Sequence, residues 1–136
     1  MILLGIDYGT KYWGCAVGSS ATGHADPLGS VKVVNHEPDW QVLDQWLKDW
    51  KPDSIVIGVP LKMDGTPFEV TKKAQAAAET LRSRYEVTVY EADERMSTVE
   101  AKDELFEHKG KKALTKSNVD TRSAQIILER WIYMNV

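Results

Sequence analysis

Apolar residues fall along this chain in two rhythms. Ile2-Leu-Leu-Gly-Ile6 is a short, nearly continuous apolar run closed by Asp7 and Gly9, and it predicts a buried strand over residues 2–7. Gly14-Cys15-Ala16-Val17-Gly18 predicts a second strand beyond the turn. A third, punctuated by Asp26-Pro27 and Gly29, runs through Val31, Val33 and Val34. Turns this short predict an antiparallel meander. The period then changes: Trp40, Leu43, Trp46, Leu47 and Trp50 recur at helical spacing, with Pro38 near the start. Ser54-Ile-Val-Ile-Gly-Val-Pro60 is the continuous apolar run of a strand covered on both faces. Thr66-Pro67-Phe68-Glu69 has capping-box order, and Val70, Ala74, Ala77, Ala78, Leu81 and Tyr85 line one face of the helix it opens. Glu86-Val-Thr-Val-Tyr90 predicts another strand. A second capping box, Ser97 to Glu100, opens a short helix reaching about Phe106. A basic loop follows over 108–118, and Asp120 precedes a last helix through Ala124, Ile127, Leu128 and Trp131.

Three antiparallel strands leading into alternating helix and strand units predict an α/β fold with a five-stranded mixed sheet flanked by helices. Right-handed crossovers make the first, fourth and fifth strands parallel, so their C-terminal ends share one edge. That edge carries Asp7, Gly58-Val-Pro60 and the pair Asp93-Glu94. Open α/β sheets hold their sites at such an edge.

With 136 residues the chain fits a single domain, 1–136, and 43% hydrophobic with 27% charged residues is a globular composition. Its one cysteine, Cys15, lies in an apparent strand, which excludes an intrachain disulfide and suits a small core residue in a reducing cytosol. No apolar run approaches a membrane span, and Met1-Ile-Leu-Leu-Gly lacks the charged region of a signal peptide, so no membrane association is expected. The net charge of −3 does not advertise nucleic-acid binding. The distribution says more: His108-Lys109-Gly110-Lys111-Lys112 with Lys116 is a local basic patch, which on charge alone reads as a solvated loop.

The candidate chemistry is acidic. Asp7, the Asp93-Glu94 pair and Asp120 converge if the predicted topology holds. Carboxylate oxygens suit Mg²⁺ or Mn²⁺, and a cation at such a cluster can activate water and offset charge on a phosphodiester. His24, His36 and His108 have no metal-ligand spacing, and one cysteine cannot build a zinc site. Each acid also has a structural explanation. Asp7 could form a turn, Asp120 an N-cap, and Glu94 an ion pair with Arg95. The tryptophans at 40, 46 and 50 suit helix packing rather than base stacking.

Gly5-Ile-Asp-Tyr-Gly-Thr-Lys11 with Gly14, Thr22-Gly23 with Pro27-Leu28, Ile57-Gly-Val-Pro-Leu61 and Met63-Asp-Gly65 follow one another in order. They continue with Asp93-Glu-Arg95, Ser97-Thr98, Glu100-Ala101, Lys116, Val119-Asp120, Ser123-Ala124 and Ile127-Leu128. In this order and spacing the chain resembles the YqgF family, also called RuvX, over essentially its whole length. The resemblance implies an RNase H-like fold and a cytoplasmic nuclease of ribosome biogenesis that trims the 5′ end of pre-16S ribosomal RNA. The family has also been described as Holliday junction resolvase-like. Its acidic positions map onto Asp7, Glu94 and Asp120 as catalytic and Mg²⁺- or Mn²⁺-binding residues, with Asp93 the alternative to Glu94. Lys62, Tyr12-Trp13 and Arg122 depart from the family pattern, which touches substrate preference and removes no carboxylate.

The leading expectation is therefore metal-dependent hydrolysis of phosphodiesters, a hydrolase acting on ester bonds. Lys11, Arg95, Lys111, Lys112 and Lys116 would hold the strand. The expected partner is pre-16S rRNA, ribosome-bound or free, or branched DNA, met by a monomer or weak dimer. Two other readings stand beside it. Asp7-x-Gly9-Thr10 followed by Gly14 also suits the first phosphate loop of actin-like or sugar-kinase-like nucleotide binders, though such proteins close two domains around the nucleotide. A non-catalytic RNA- or ribosome-binding module fits the net acidity but not the acid trio.

Overall fold

A computed structural model describes residues 1–60, 69–93 and 116–135, with side chains in the last segment from 121. The elements in chain order are β1 (Ile2–Asp7), β2 (Tyr12–Ser19), β3 (His24–Val34), β4 (Glu37–Pro38), α1 (Trp40–Trp50), β5 (Ser54–Val59), α2 (Glu69–Tyr85), β6 (Thr88–Asp93) and α3 (Lys116–Asn135). The strands form one sheet ordered β4-β3-β2-β1-β5-β6. β1, β2 and β3 pair antiparallel, while β1, β5 and β6 run parallel. This is the mixed sheet with a shared C-terminal edge that the chain predicts, with one correction.

The sheet has six strands, not five. After Val34 the chain reverses through Asn35 and His36, at φ 53° and 65°, and Val33 and Val34 pair with Pro38 and Glu37. Two central residues at positive φ match the twist of the strands they join. Pro38 therefore closes an edge strand, where its missing N–H costs nothing, and stands two residues before the first residue of the helix. Asp39 is the N-cap of α1, its side chain accepting the backbone N–H of Gln41 at 3.1 Å. The last helix also differs from expectation. It starts at Lys116, so Asp120 lies inside it and is not its N-cap. The predicted capping box at 66–69 lies largely, and the short helix from Ser97 wholly, outside the described residues.

Every residue of β5, and of β1 from Leu3 onward, is buried, because helices cover both faces of the sheet. On one face Leu4, Ile6, Tyr8, Cys15, Ile55, Ile57 and Val89 pack with Leu43 of α1 and with Ala74, Ala78 and Leu81 of α2. Trp40 and Trp46 pack against this cluster, as their spacing predicts, whereas Trp50 at the helix end is exposed. On the other face Leu3, Ala16, Ala25 and Val56 pack against Ala124, Ile127, Leu128 and Ile132 of α3. α3 comes down on the sheet at Gly5, where a Cβ would stand 2.9 Å from Leu128 Cβ and 3.2 Å from the Ala124 carbonyl oxygen. No larger residue than glycine lets the helix sit this close.

One polar network ties α1 to α2. Asp44 accepts two hydrogen bonds from Arg84, at 3.0 and 2.7 Å, and one from the Tyr85 hydroxyl at 2.6 Å, while the Arg84 guanidinium lies 4.5 Å from the centre of the Trp40 ring. The Arg84 hydrogen bonds, and then that from Tyr85, hold the Asp44 carboxyl below its usual range. A carboxylate whose pKa is lower in the folded chain stabilises the fold fully above the unfolded value, about 4, and loses that contribution as pH falls through the folded value. Urea titrations should therefore show Asp44→Asn less stable than the parent at neutral pH. The gap should close in acid, and a gap constant across that range would exclude this role.

Candidate functional site

Alternation along β1 decides which face Asp7 joins. Leu4, Ile6 and Tyr8 belong to the α1–α2 side, and Leu3 and Gly5 to the α3 side, so Asp7 shares the α3 side. It ends the strand at only 6% exposure. Its registered neighbours are Gly14 on β2 and Gly58 on β5. A carboxylate near the middle of the sheet edge thus has no side chain beside it on either adjacent strand. The sequence marks both glycines, but only the pairing register reveals what they flank.

The turn beyond Asp7 is sterically tight. A Cβ on Gly9 would lie 2.3 Å from the Tyr12 carbonyl oxygen. Lys11 is exposed on this turn, and its backbone carbonyl accepts the Val33 N–H at 2.8 Å. Burial, and then the negative charge of Asp7, push the Cys15 thiol well above its usual range. Cys15 is therefore an inert core residue, as its place in the strand predicts. Burial likewise raises the Tyr8 phenol.

At the far side of the edge, Val59 registers with Asp93, and Gly58 with Ala92. Ala92 is therefore the β6 residue level with Asp7, two strand spacings or roughly 10 Å away. Val89 packs on the α1–α2 side, and Glu91 meets Arg82 of α2 at 3.4 Å. Asp93 shares their parity, not that of Asp7, and is exposed. Glu94, Arg95, Lys111 and Lys112 lie outside the described residues, as do the side chains of Lys116 and Asp120. Among the described residues no group of three His, Cys, Asp or Glu could hold a metal ion.

Ser123, in the turn of α3 that packs on Gly5, is fully buried, and its Oγ has no hydrogen-bond partner among the described residues. Ser123-Ala124 enters the sequence reading only as part of the family pattern, and a serine inside a helix carries no signal of its depth. Among the described residues the edge therefore offers a polar ligand a buried carboxylate with a glycine registered on either side.

Comparison with known proteins bears on the whole chain. Solved structures of similar fold include Thermus thermophilus RuvC in complex with a Holliday junction substrate, with TM-score 0.58 at 18% identity over 98% of this chain and 94% of that one. The yeast mitochondrial Holliday junction resolvase Ydc2 gives 0.57 at 10% identity over 96% and 77%. Identities this low show a shared fold. Sequence relatives are much nearer. A candidate pre-16S rRNA nuclease of Mannheimia succiniciproducens is 49% identical over 94% of this chain and 91% of its own. One of Salmonella dublin is 47% identical over 95% and 94%. The family model described as RuvX, Holliday junction resolvase, matches residues 1–134. Strand order, the carboxylate that ends β1 and this near-complete match agree, and the chain belongs to the RuvX family.

Proposed function

We propose that the chain is a divalent-metal-dependent endonuclease, hydrolysing phosphodiester bonds of nucleic acid at the Asp7 edge, with the 5′ end of pre-16S rRNA as its substrate. The observation that carries this is the buried Asp7 carboxylate at the C-terminal edge of three parallel strands, with glycine registered on either side. Carboxylate oxygens are the donors that Mg²⁺ and Mn²⁺ prefer.

Asp7, Glu94 and Asp120 would hold the ion. Two backbone arguments support this set. Ala92 packs on the α3 side, so by strand alternation Asp93 belongs to the opposite side from Asp7. Glu94 is thereby favoured over Asp93. Position 120 of α3 precedes Ala124 by four residues, about 6 Å of helix rise. Asp7 lies beyond Gly5 by two residues, about 6.6 Å of strand. Because Ala124 lies over Gly5, the two acids fall at one level.

A cation bound there would supply an activated water and neutralise charge on the phosphate. The protein's own share is positional. The glycines on either side of Asp7 leave room for a phosphate beside the carboxylate, and Lys11, with Arg95, Lys111, Lys112 and Lys116, would hold the flanking backbone. The relatives named for pre-16S rRNA favour RNA, and a cytoplasmic site of action follows from that substrate. The family description favours a branched DNA junction as the second reading.

A cleavage assay with Mg²⁺ or Mn²⁺ on pre-16S 5′-leader RNA, a four-way DNA junction and single-stranded DNA tests this directly. The leader should be cut to 5′-phosphate and 3′-hydroxyl ends, and EDTA should stop the reaction. Undiminished cutting in EDTA would remove the metal. Salt-dependent RNA binding with no cutting of any substrate would favour a binding module instead.

A further inference from the structure

A second feature of the same sheet has no part in the chemistry at Asp7. β6 is an outer strand of the sheet, and a cleft of about 510 Å³ lies between it and α3. The cleft runs along the strand from Glu91 to Asp93 and along the helix from Ile127 to Asn135. Beside it the rings of Tyr90 and Trp131 stack, with centres 4.7 Å apart and planes inclined by 35°. Tyr90 is 39% exposed, and Trp131, only partly buried, also lines the cleft. Two aromatic rings stacked at the surface leave apolar faces in water, which packing alone does not require.

The lining suits one kind of guest. A volume of this size falls in the range of small-ligand sites. The floor is aromatic and apolar, from Trp131, Ile127 and Ala92, and the rim carries Arg130 and Asn135, while Glu91 and Asp93, whose side chains point to the other face, border it with their backbone. An unpaired nucleobase has a flat face that stacks on indole and an edge of amino and carbonyl groups that an amide side chain such as that of Asn135 can bond. Arg130 supplies a cation for the phosphate that accompanies it. A purely apolar guest would leave the polar rim unused.

Position completes the case. Asp93 ends the cleft, and Ala92, in its wall, is the residue level with Asp7. A single strand lying in the cleft would thus lead onto the Asp7 edge. We infer that the cleft between β6 and α3 is a subsite for an unpaired nucleotide of the substrate, its base stacking on the Tyr90–Trp131 pair. This rests on the nuclease reading for its substrate class. Its consequence is a preference for single-stranded segments beside the scissile bond.

Binding of fluorescein-labelled single-stranded RNA, single-stranded DNA of the same sequence and the matching fully paired duplex tests it, by anisotropy in EDTA so that nothing is cut. Tyr90→Leu, at an exposed position, and Trp131→Leu should each weaken binding of the RNA, the DNA or both by about fivefold or more. Duplex affinity, which also reports that each variant is folded, should not change. The salt dependence of single-strand binding should keep its slope, because stacking releases no counterions. Unchanged single-strand affinity in both variants, or an equal loss on single strand and duplex, overturns the subsite. Leader RNA cut by the parent would at the same time leave the nuclease reading standing.

Discussion

Asp7→Asn should abolish Mg²⁺-dependent cleavage while leaving the fold in place. Asn keeps the shape of the side chain and one acceptor oxygen, so packing at the end of β1 need not change. It loses the charge, and a cation's stabilisation of the transition state is worth several kcal/mol, on the order of 10³-fold in rate or more. Single-turnover cleavage of leader RNA measures the loss, and thermal denaturation measures the fold. The second measurement carries its own signal. Added Mg²⁺ should raise the Tm of the parent, because a ligand that binds only the native state stabilises it, and should not raise that of the variant. Cleavage by Asp7→Asn at the parent's rate would remove Asp7 from the chemistry, whatever else the edge does.

Gly9→Ala should cost both stability and activity, for a reason the residue type alone does not give. Glycine after a strand usually signals a conformation closed to other residues, and Gly23, at φ 71° with open space around it, is such a case. Gly9 has no positive φ. Its constraint is the Tyr12 carbonyl oxygen, 2.3 Å from where a Cβ would stand, and a backbone atom cannot swing aside as a flexible side chain could. The turn must open, at about 1–3 kcal/mol for a methyl inserted where nothing yields. Asp7 and Gly9 belong to the same turn, so the carboxylate moves with it. Gly9→Ala should lower both Tm and cleavage rate, whereas the effect of Gly23→Ala should be confined to stability. A Gly9→Ala protein as stable and as active as the parent would show that the turn yields without moving Asp7.

Both expectations start from a segment that sequence pattern alone identifies. A carboxylate closing an apolar run is conspicuous because burial penalises it, and the alternation of helices and strands after residue 40 makes β1, β5 and β6 parallel. The features that escape are short or depend on distant partners. β4 is two residues long and has no period to detect. The start of α3 at Lys116 escapes because the polar run from 116 to 118 reads as loop, which made Asp120 look like a cap. Tyr90 and Trp131 are each ordinary apolar positions until the helix docks on β6.

Hydrophobic period and turn residues act locally, so the element types, the direction of the strands, the burial of Cys15 and the place of Asp7 at a strand end are all legible along the chain. Docking of the elements sets the neighbours: the glycines that flank Asp7, the parity that sets Asp93 apart from it, the depth of Ser123 and the cleft beside Trp131. Strand register and helix docking join residues tens of positions apart, and only the energy of the assembled core selects among the ways of joining them.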